Sequence, residues 1–270
     1  MIQNYPLDFP KTQKIFMATF PELASRVVAI TGAAQGIGAE TARHFAAQGT
    51  AVALLDIDTK GAKTVADAII AAGGRAKSIA VDVTDEQSVN AAIAATVEAF
   101  GGLDILITCA GGYTRLAQVE DMPLDEWERT IALNLRSAFL CSKAVIPHLK
   151  KSKAGRIIHV ASISGRTVHA SSSPAYGSAK AAVIQLTRFL AWELGPSNIT
   201  ANAVAPITTL TPRVAALRTE ADVARIAAQV PLRRLATPAD HAQVMLFLAS
   251  DGAAFLNGTV QDVNGGRVMM

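Results

Sequence analysis

A tyrosine and a lysine with the spacing for proton transfer lie in the second half of the sequence, at Tyr176 and Lys180. Side chains four residues apart share one face of a helix, so the spacing places the ammonium near the phenol. A free phenol has a pKa of about 10, and a neighbouring cation favours the phenolate and lowers that value. The pair can therefore move a proton to or from the oxygen of an alcohol.

Two further polar residues could belong to the same site. Ser162 follows an apolar run at 156–161, and its hydroxyl can donate a hydrogen bond to an oxygen that gains charge during a reaction. Other serines lie nearby, and Ser164 is the alternative. Asn134 lies among apolar residues of a predicted helix, and a buried amide needs partners, which fits either a structural role or a relay role.

A glycine-rich segment at 31–38 directly follows the first apolar run and precedes a predicted helix at 40–48. Glycines in such a turn let the backbone approach a pyrophosphate, whose charge meets the free N–H groups of the helix N-terminus. Any tight strand-to-helix connection might use glycine, so this segment alone is weak evidence for a dinucleotide site.

An acidic residue in the expected place strengthens that interpretation. Asp56 ends the second apolar run, where a carboxylate can accept hydrogen bonds from the adenosine ribose hydroxyls. Helix capping is the alternative role, and Asp58 is better placed for it. A phosphorylated ribose would be repelled by Asp56 and would need a nearby cation, yet the two natural positions hold Gln35 and Ile57. The sequence therefore predicts NAD in preference to NADP.

Asp82 and Val83 close the third apolar run. The carboxylate of Asp82 could meet the adenine amino group while Val83 packs against the ring. Capping of the helix that begins at Glu86 is the alternative for Asp82, and Thr84 and Asp85 compete for that position.

Short apolar runs separated by stretches of helical period indicate one type of fold. The runs are typical of strands buried on both faces, and their alternation with helices predicts a doubly wound parallel sheet of Rossmann type, in the α/β class. We predict a single domain at 26–270 after an N-terminal extension at 1–25, with a mobile helix at 221–230 as a lid. The runs lie at 27–30, 51–55, 76–81, 104–108, 156–161 and 199–204.

Composition excludes several other classes of protein. The 270 residues are 50% hydrophobic and 17% charged with a formal net charge of +3, which argues against disorder, and no basic block offers a surface for nucleic acid. Cys109 and Cys141 cannot form a disulfide framework, and neither they nor the histidines show metal-ligand spacing. Without a signal-like leader or 18 consecutive apolar residues, we expect a soluble cytoplasmic protein with no membrane partner.

Taken in order, these residues resemble the short-chain dehydrogenase/reductase family from about Arg26 to Gly266. Residues 247–251 and 264–266 resemble the closing segments of the family. The motifs that carry the resemblance are Thr31-Gly32-x-x-x-Gly36-x-Gly38, Asp82-Val83, Asn134-Leu135, Ser162, Tyr176-x-x-x-Lys180 and Asn202-Ala203-Val204-Ala205-Pro206.

The resemblance implies a role for each residue. Tyr176 would be the general acid/base, Lys180 would bind the cofactor ribose and lower the pKa of the tyrosine, Ser162 would polarise the substrate oxygen, and Asn134 would hold a water that links Lys180 to solvent. Hydride would pass directly between the substrate carbon and the nicotinamide. The implied cofactor-binding residues are Gly32, Gln35, Gly36, Ile37, Gly38, Asp56, Asp82, Val83, Ala110, Gly111, Tyr176, Lys180, Pro206, Thr209 and Thr211.

The chain departs from the family pattern at three places. Cys109 replaces an asparagine that braces the central strands, so we expect altered bracing; a nucleophilic role for the thiol lacks a basic partner. Ile207 replaces a glycine beside the nicotinamide. Ser162 precedes Tyr176 by one residue more than is usual.

The expected activity is the NAD(H)-dependent interconversion of a secondary alcohol and its ketone by a homotetramer, with a polyol or sugar alcohol as the first choice of small-molecule substrate. The alternatives are an NADP-dependent 3-oxoacyl-carrier-protein reductase, which Asp56 argues against, and a catalytically silent NAD-binding regulator. A methyltransferase is disfavoured by the Tyr176 and Lys180 pair. Arg115, Arg166 and Arg213 fall in segments that should surround the reacting carbon and could select a polar or anionic substrate, although solvated arginines are the commoner outcome. His169, in the loop before Tyr176, could contact the substrate, although packing or surface roles are commoner for the histidines.

Overall fold

Seven parallel strands form the central sheet of the computed structural model, which describes residues 18–113, 115–168, 172–212, 214 and 219–269. The leader at 1–17, His169 and Arg213 lie outside the described residues. The strands are β1 (Val27–Thr31), β2 (Ala51–Asp56), β3 (Arg75–Ala80), β4 (Ile105–Thr108), β5 (Gly155–Val160), β6 (Ile199–Pro206) and β7 (Val260–Val263).

The strand order is β3-β2-β1-β4-β5-β6-β7, so the chain builds one half of the sheet outward from β1 and then returns to build the other. This is the predicted doubly wound topology, and it is confirmed. In the centre, Thr31 at the end of β1 pairs with both Leu55 of β2 and Thr108 of β4. The last strand, β7, was not predicted, because Gln261 and Asp262 interrupt its apolar character and its residues are only partly buried.

The helices cover both faces of the sheet. Within the described residues none is long and apolar enough to cross a bilayer. A π-helical turn at Ala132–Arg136 joins two of them. They are α1 (Gly36–Ala47), α2 (Thr59–Ala71), α3 (Glu86–Phe100), α4 (Leu124–Ile131), α5 (Ser137–Leu149), α6 (Pro174–Leu194), α7 (Glu220–Ala227) and α8 (Pro238–Ala249).

The predicted start of α1 at residue 40 is wrong, since the helix begins at Gly36. Glycine has a low helix propensity, so the glycines in the first turn of α1 led to its interpretation as a loop. Four other helices, α2, α3, α7 and α8, begin at a side-chain cap. Asp58 caps α2 by accepting a hydrogen bond from the Gly61 N–H, and Asp85, not Asp82, caps α3.

Two apolar layers cover the sheet, one on each face. On one face, Val28 and Ile30 of β1 pack with Phe45 of α1. On the other face, Ala29 of the same strand packs in a cluster with Ile93 of α3 and Val145 of α5. Because successive residues of β1 serve opposite layers, the whole strand is buried, as its continuous apolar run predicted.

Close backbone contact at the end of β1 explains two of the glycines. Gly32 has φ +67°, and a Cβ there would lie 2.7 Å from the Ala110 nitrogen. Gly38 lies directly against the Gly32 carbonyl, and a Cβ there would overlap that oxygen. The first turn of α1 is thereby held against the turn that follows the strand.

Replacing Gly38 by alanine is expected to lower the free energy of unfolding by about 1–3 kcal/mol, because the added methyl group has to displace the Gly32 backbone. Urea denaturation measures the change. Gly102→Ala is the matched control, since a Cβ at Gly102 meets nothing within 4 Å, and its effect should stay within about 0.5 kcal/mol. Equal losses in the two variants would contradict this account of Gly38.

Candidate active site

The carboxyl ends of the strands open onto a cavity of about 330 Å³ next to the glycine-rich turn. It brings together most of the predicted cofactor-binding residues. Leu55, Ile57, Val81 and Leu133 also line it and were not predicted. The predicted residues in its wall are Gly32, Gln35, Gly36, Ile37, Gly38, Asp56, Asp82, Val83, Ala110, Gly111 and Thr211.

Backbone amides hold the two carboxylates of this cavity. Asp56 Oδ2 accepts a hydrogen bond from the Ala34 N–H at 2.8 Å, and Oδ1 accepts one from the Asp58 N–H at 2.9 Å. Asp82 Oδ1 accepts from both the N–H and the hydroxyl of Thr84, and these bonds lower the pKa of the Asp82 carboxyl. Both side chains are therefore held in place at the rim of the sheet.

A second cavity of about 320 Å³ adjoins the first, because Ile37, Cys109, Gly111 and Thr211 line both. Its wall brings together Ser162, Tyr176, Lys180, Pro206 and Thr209 of the predicted set, with Ser164 beside them. Asn134 lies behind Gly111 and does not line it.

Tyr176 is hydrogen-bonded to Ser162. The expected lowering of its pKa is not found. Desolvation of the phenol raises the pKa of Tyr176 to about 12; the Ser162 bond lowers it by less, and Tyr113 raises it further. Proximity to a lysine in sequence does not predict this direction, because the depth of burial decides it.

Lys180 lies one helical turn further along α6, with Nζ 5.6 Å from the centre of the Tyr176 ring. The ammonium donates a hydrogen bond to the Val160 carbonyl at 2.7 Å. Burial lowers the pKa of Lys180 to about 8. The lysine therefore keeps most of its charge near neutral pH while bound to the end of β5.

Asn134 lies in the π-helical turn, and within the described residues its side chain bonds to backbone groups. Oδ1 accepts from the Gly112 N–H at 3.0 Å, while Nδ2 donates to the Gly112 and Thr130 carbonyls at 2.7 and 2.8 Å. Both amide hydrogens are thus used. A water held by this residue would have to donate to one of its carbonyl oxygens, and the relay role stays a prediction.

The strand bracing that Cys109 was expected to alter comes from a histidine. His159 on β5 is fully buried, and its Nδ1 lies 2.8 Å from the Thr108 hydroxyl on β4. Burial lowers the pKa of His159 to about 3, so the ring is neutral. Burial also raises the pKa of the Cys109 thiol to about 12, which leaves no thiolate for a nucleophilic role.

Thr209, expected to contact the nicotinamide carboxamide, has its hydroxyl engaged inside the protein. Oγ1 donates to the Ile207 carbonyl at 2.8 Å and lies 2.7 Å from Nε2 of the buried His241. Sequence analysis did not find this contact, since His241 lies on α8, far away in the chain.

The arginines expected near the substrate differ in environment. Arg166 pairs with Asp262 at 2.9 Å, with both side chains largely buried, whereas Arg115 is exposed. Arg166 also lines an open cleft of about 920 Å³ between the segments 116–119 and 164–168. Among the described residues no cluster of histidine, cysteine and acidic side chains could hold a metal ion.

Comparisons with known proteins agree with this geometry. A family model described as enoyl-(acyl carrier protein) reductase matches residues 32–267. Cis-4-hydroxycyclohexanecarboxylate dehydrogenase of Sinomonas cyclohexanicum is 43% identical over 244 residues, which are 90% of this chain and 96% of that protein. (2S)-[(R)-Hydroxy(phenyl)methyl]succinyl-CoA dehydrogenase subunit BbsD of Thauera aromatica is 38% identical over 245 residues, 91% and 97% of the two chains.

Among solved structures, 3-ketoacyl-(acyl-carrier-protein) reductase from Brucella melitensis, complexed with NADH, superposes with a TM-score of 0.82. It is 32% identical, and the match covers 92% of this chain and 100% of that one. The family match, the relatives and the parallel sheet all agree, and a nicotinamide cofactor fits the glycine-lined cavity. The chain belongs to the short-chain dehydrogenase/reductase family of Rossmann-fold oxidoreductases.

Proposed function

We propose that this protein is an NAD(H)-dependent dehydrogenase that interconverts a secondary alcohol and its ketone. The observation that carries the proposal is the hydrogen-bonded Tyr176 and Ser162 pair in a cavity continuous with the glycine-lined one. Gly32, Gly36 and Gly38 line that cavity at the start of α1, where the free N–H groups of a helix N-terminus favour a pyrophosphate. A substrate oxygen beside the pair would lie within reach of the nicotinamide position.

The side chains divide the work at the substrate oxygen. In ketone reduction, the Tyr176 phenol, protonated near neutral pH, donates its proton to the carbonyl oxygen, and Ser162 donates a hydrogen bond to the same atom as charge develops. Lys180 supplies the buried positive charge beside the ring. A bound nicotinamide supplies or accepts the hydride. In alcohol oxidation the proton moves the opposite way, to the Tyr176 phenolate.

The preference for NAD is supported by the charges around the adenosine side. Asp56 and Asp82 both line the cavity, and no arginine or lysine is among its described wall residues. Two unit charges 4 Å apart repel by about 4 kcal/mol at an effective dielectric constant of about 20. A 2′-phosphate next to Asp56 would meet that repulsion without a compensating cation.

The proposed substrate is a secondary alcohol or the corresponding ketone. A polyol or sugar alcohol, favoured by the polar loop residues, is one candidate. The names of the two relatives describe acids with a hydroxyl on, or next to, a six-membered ring, and such hydroxy acids are the second candidate. An NADP-linked 3-oxoacyl-carrier-protein reductase remains disfavoured by Asp56. A panel of these alcohols and ketones with both cofactors, read by NADH absorbance, identifies the class.

We further propose a cytoplasmic homotetramer. Cys109 and Cys141 are both unpaired, which fits a reducing compartment. Large apolar side chains are exposed on two neighbouring helices, Phe139 on α5 and Phe189 and Trp192 on α6. Exposed apolar surface of this kind is typical of subunit interfaces.

Tyr176→Phe is expected to lower kcat at least about 100-fold, because the variant has no proton to donate or accept at the reacting oxygen. The dissociation constant for NADH, followed by fluorescence, should change little. Gln185→Ala, an exposed change on the same helix, is the control and should keep full activity. Unchanged turnover in Tyr176→Phe would instead favour a catalytically silent NAD-binding protein.

The cofactor preference is tested by a change of charge at one position. The wild type should prefer NAD at least about 100-fold in kcat/KM, and Asp56→Asn should reduce that ratio at least tenfold, since the amide does not repel a phosphate. Asp58→Asn removes the same charge at the neighbouring helix cap and should change the ratio less than about threefold. A wild-type preference for NADP would refute this reading of Asp56.

The double variant Phe189→Glu and Trp192→Glu is expected to dissociate the tetramer, because it places two carboxylates in an apolar interface. Size-exclusion chromatography with light scattering measures the mass. Glu193→Gln, a neighbouring exposed change, should leave the tetramer intact. A single-chain mass for the wild type would overturn the assembly proposal.

A further inference from the structure

Tyr113 contacts the reacting tyrosine, although nothing in the sequence motifs drew attention to it. Its ring centre lies 5.0 Å from that of Tyr176, and the two planes are inclined by 54°. Aromatic pairs favour tilted arrangements at this separation. Tyr113 also lines the cavity that contains Ser162 and Lys180.

The backbone that carries Tyr113 is clamped. Asn134 bonds to both the N–H and the carbonyl of Gly112, the residue immediately before Tyr113. Gly111 fits closely behind, since a Cβ there would lie 2.6 Å from Asn134 Oδ1 and 3.2 Å from Lys180 Nζ. The segment 111–113 is therefore held against α6 and the π-helical turn.

The hydroxyl and the ring of Tyr176 are thus constrained by different residues. Ser162 bonds to the hydroxyl, Lys180 lies beside the ring but donates to the Val160 carbonyl, and Tyr113 packs against the ring. A phenol with two rotatable bonds needs both constraints to keep its oxygen directed at one point. Transfer of a proton is sensitive to such placement.

We propose that Tyr113 is a positioning residue, which holds the Tyr176 ring in the orientation for proton transfer and itself depends on the Asn134 clamp at Gly112. This inference rests on the proposed function of Tyr176 as the acid/base. It gives the Asn134 side chain a role that is independent of any bound water.

The proposal also has an electrostatic consequence. Tyr113 lines the same cavity as Tyr176 and raises the pKa of that phenol. The other titratable groups that line the same cavity, among the described residues, are Lys180 and Cys109. Removing the Tyr113 hydroxyl while keeping its ring should therefore lower the pKa of Tyr176 and preserve its orientation.

The experiment compares Tyr113→Phe with Tyr113→Leu in the full-length enzyme. Tyr113→Leu removes the ring contact and should lower kcat about three- to tenfold with the KM for NAD unchanged, in keeping with the strength of an aromatic pair. Tyr113→Phe should restore kcat to within about twofold of wild type. Phe247→Leu, a similar change on α8 outside the two adjoining cavities, is the control.

Ultraviolet titration of tyrosinate gives a readout that needs no substrate. Subtracting the double-variant curve from that of Tyr113→Phe gives the titration of Tyr176 alone, whereas subtracting it from wild type gives the coupled titration of the pair. The titration of the pair should end at a higher pH than that of Tyr176 alone. A pair titration that ends no higher, or full activity in Tyr113→Leu, would overturn the proposal. Absence of turnover with every alcohol would contradict the proposed function, and the titration would still decide the role of Tyr113.

Discussion

Parallel pairing of β1 with both of its neighbours is the constraint on which the site depends. Thr31 lies level with Leu55 and with Thr108, so the chain leaves all three strands at the same height. The residues that follow, Gly32, Asp56 and Cys109, consequently meet at one edge although they are far apart in sequence. Backbone hydrogen bonds between the strands fix the relative positions of the strand ends. The side chains that follow are therefore placed at this edge without long loops.

Much of the fold could be predicted because central strands buried on both faces give continuous apolar runs. Apolar runs do not identify a strand that is buried on one face only or is partly exposed. At β7, Gln261 and Asp262 belong to a half-buried edge strand, whose sequence differs little from that of a loop. At α1, Gly38 lies in the first helical turn despite its low helix propensity, since its approach to the Gly32 carbonyl excludes larger residues.

The site was predictable in its residue types but not in its environment. Ser162 and Tyr176 meet as their motifs imply, because a strand end and a helix start place them at one edge. Other contacts at this edge join residues far apart in the chain: His159 of β5 lies beside Thr108 of the adjacent β4, and Tyr113 packs against Tyr176 from a loop. Neither contact could be predicted from the spacing of residues along the chain. Desolvation, which sets the pKa of the phenol, likewise depends on packing that spacing does not encode.

The π-helical turn at Ala132–Arg136 sets the direction in which side chains point on the helices before and after it. The Ser137 N–H bonds to the Ala132 carbonyl, five residues back, so this turn holds one residue more than an α-helical turn. Each residue rotates a helix by about 100°. Deleting one residue here would restore regular pitch but swing the Asn134 amide away from Gly112, or else carry the outward-facing Phe139 toward the sheet. The π-helical turn therefore lets one continuous helix direct Asn134 toward Gly112 and Phe139 toward solvent, which a regular α-helix of this length would not do.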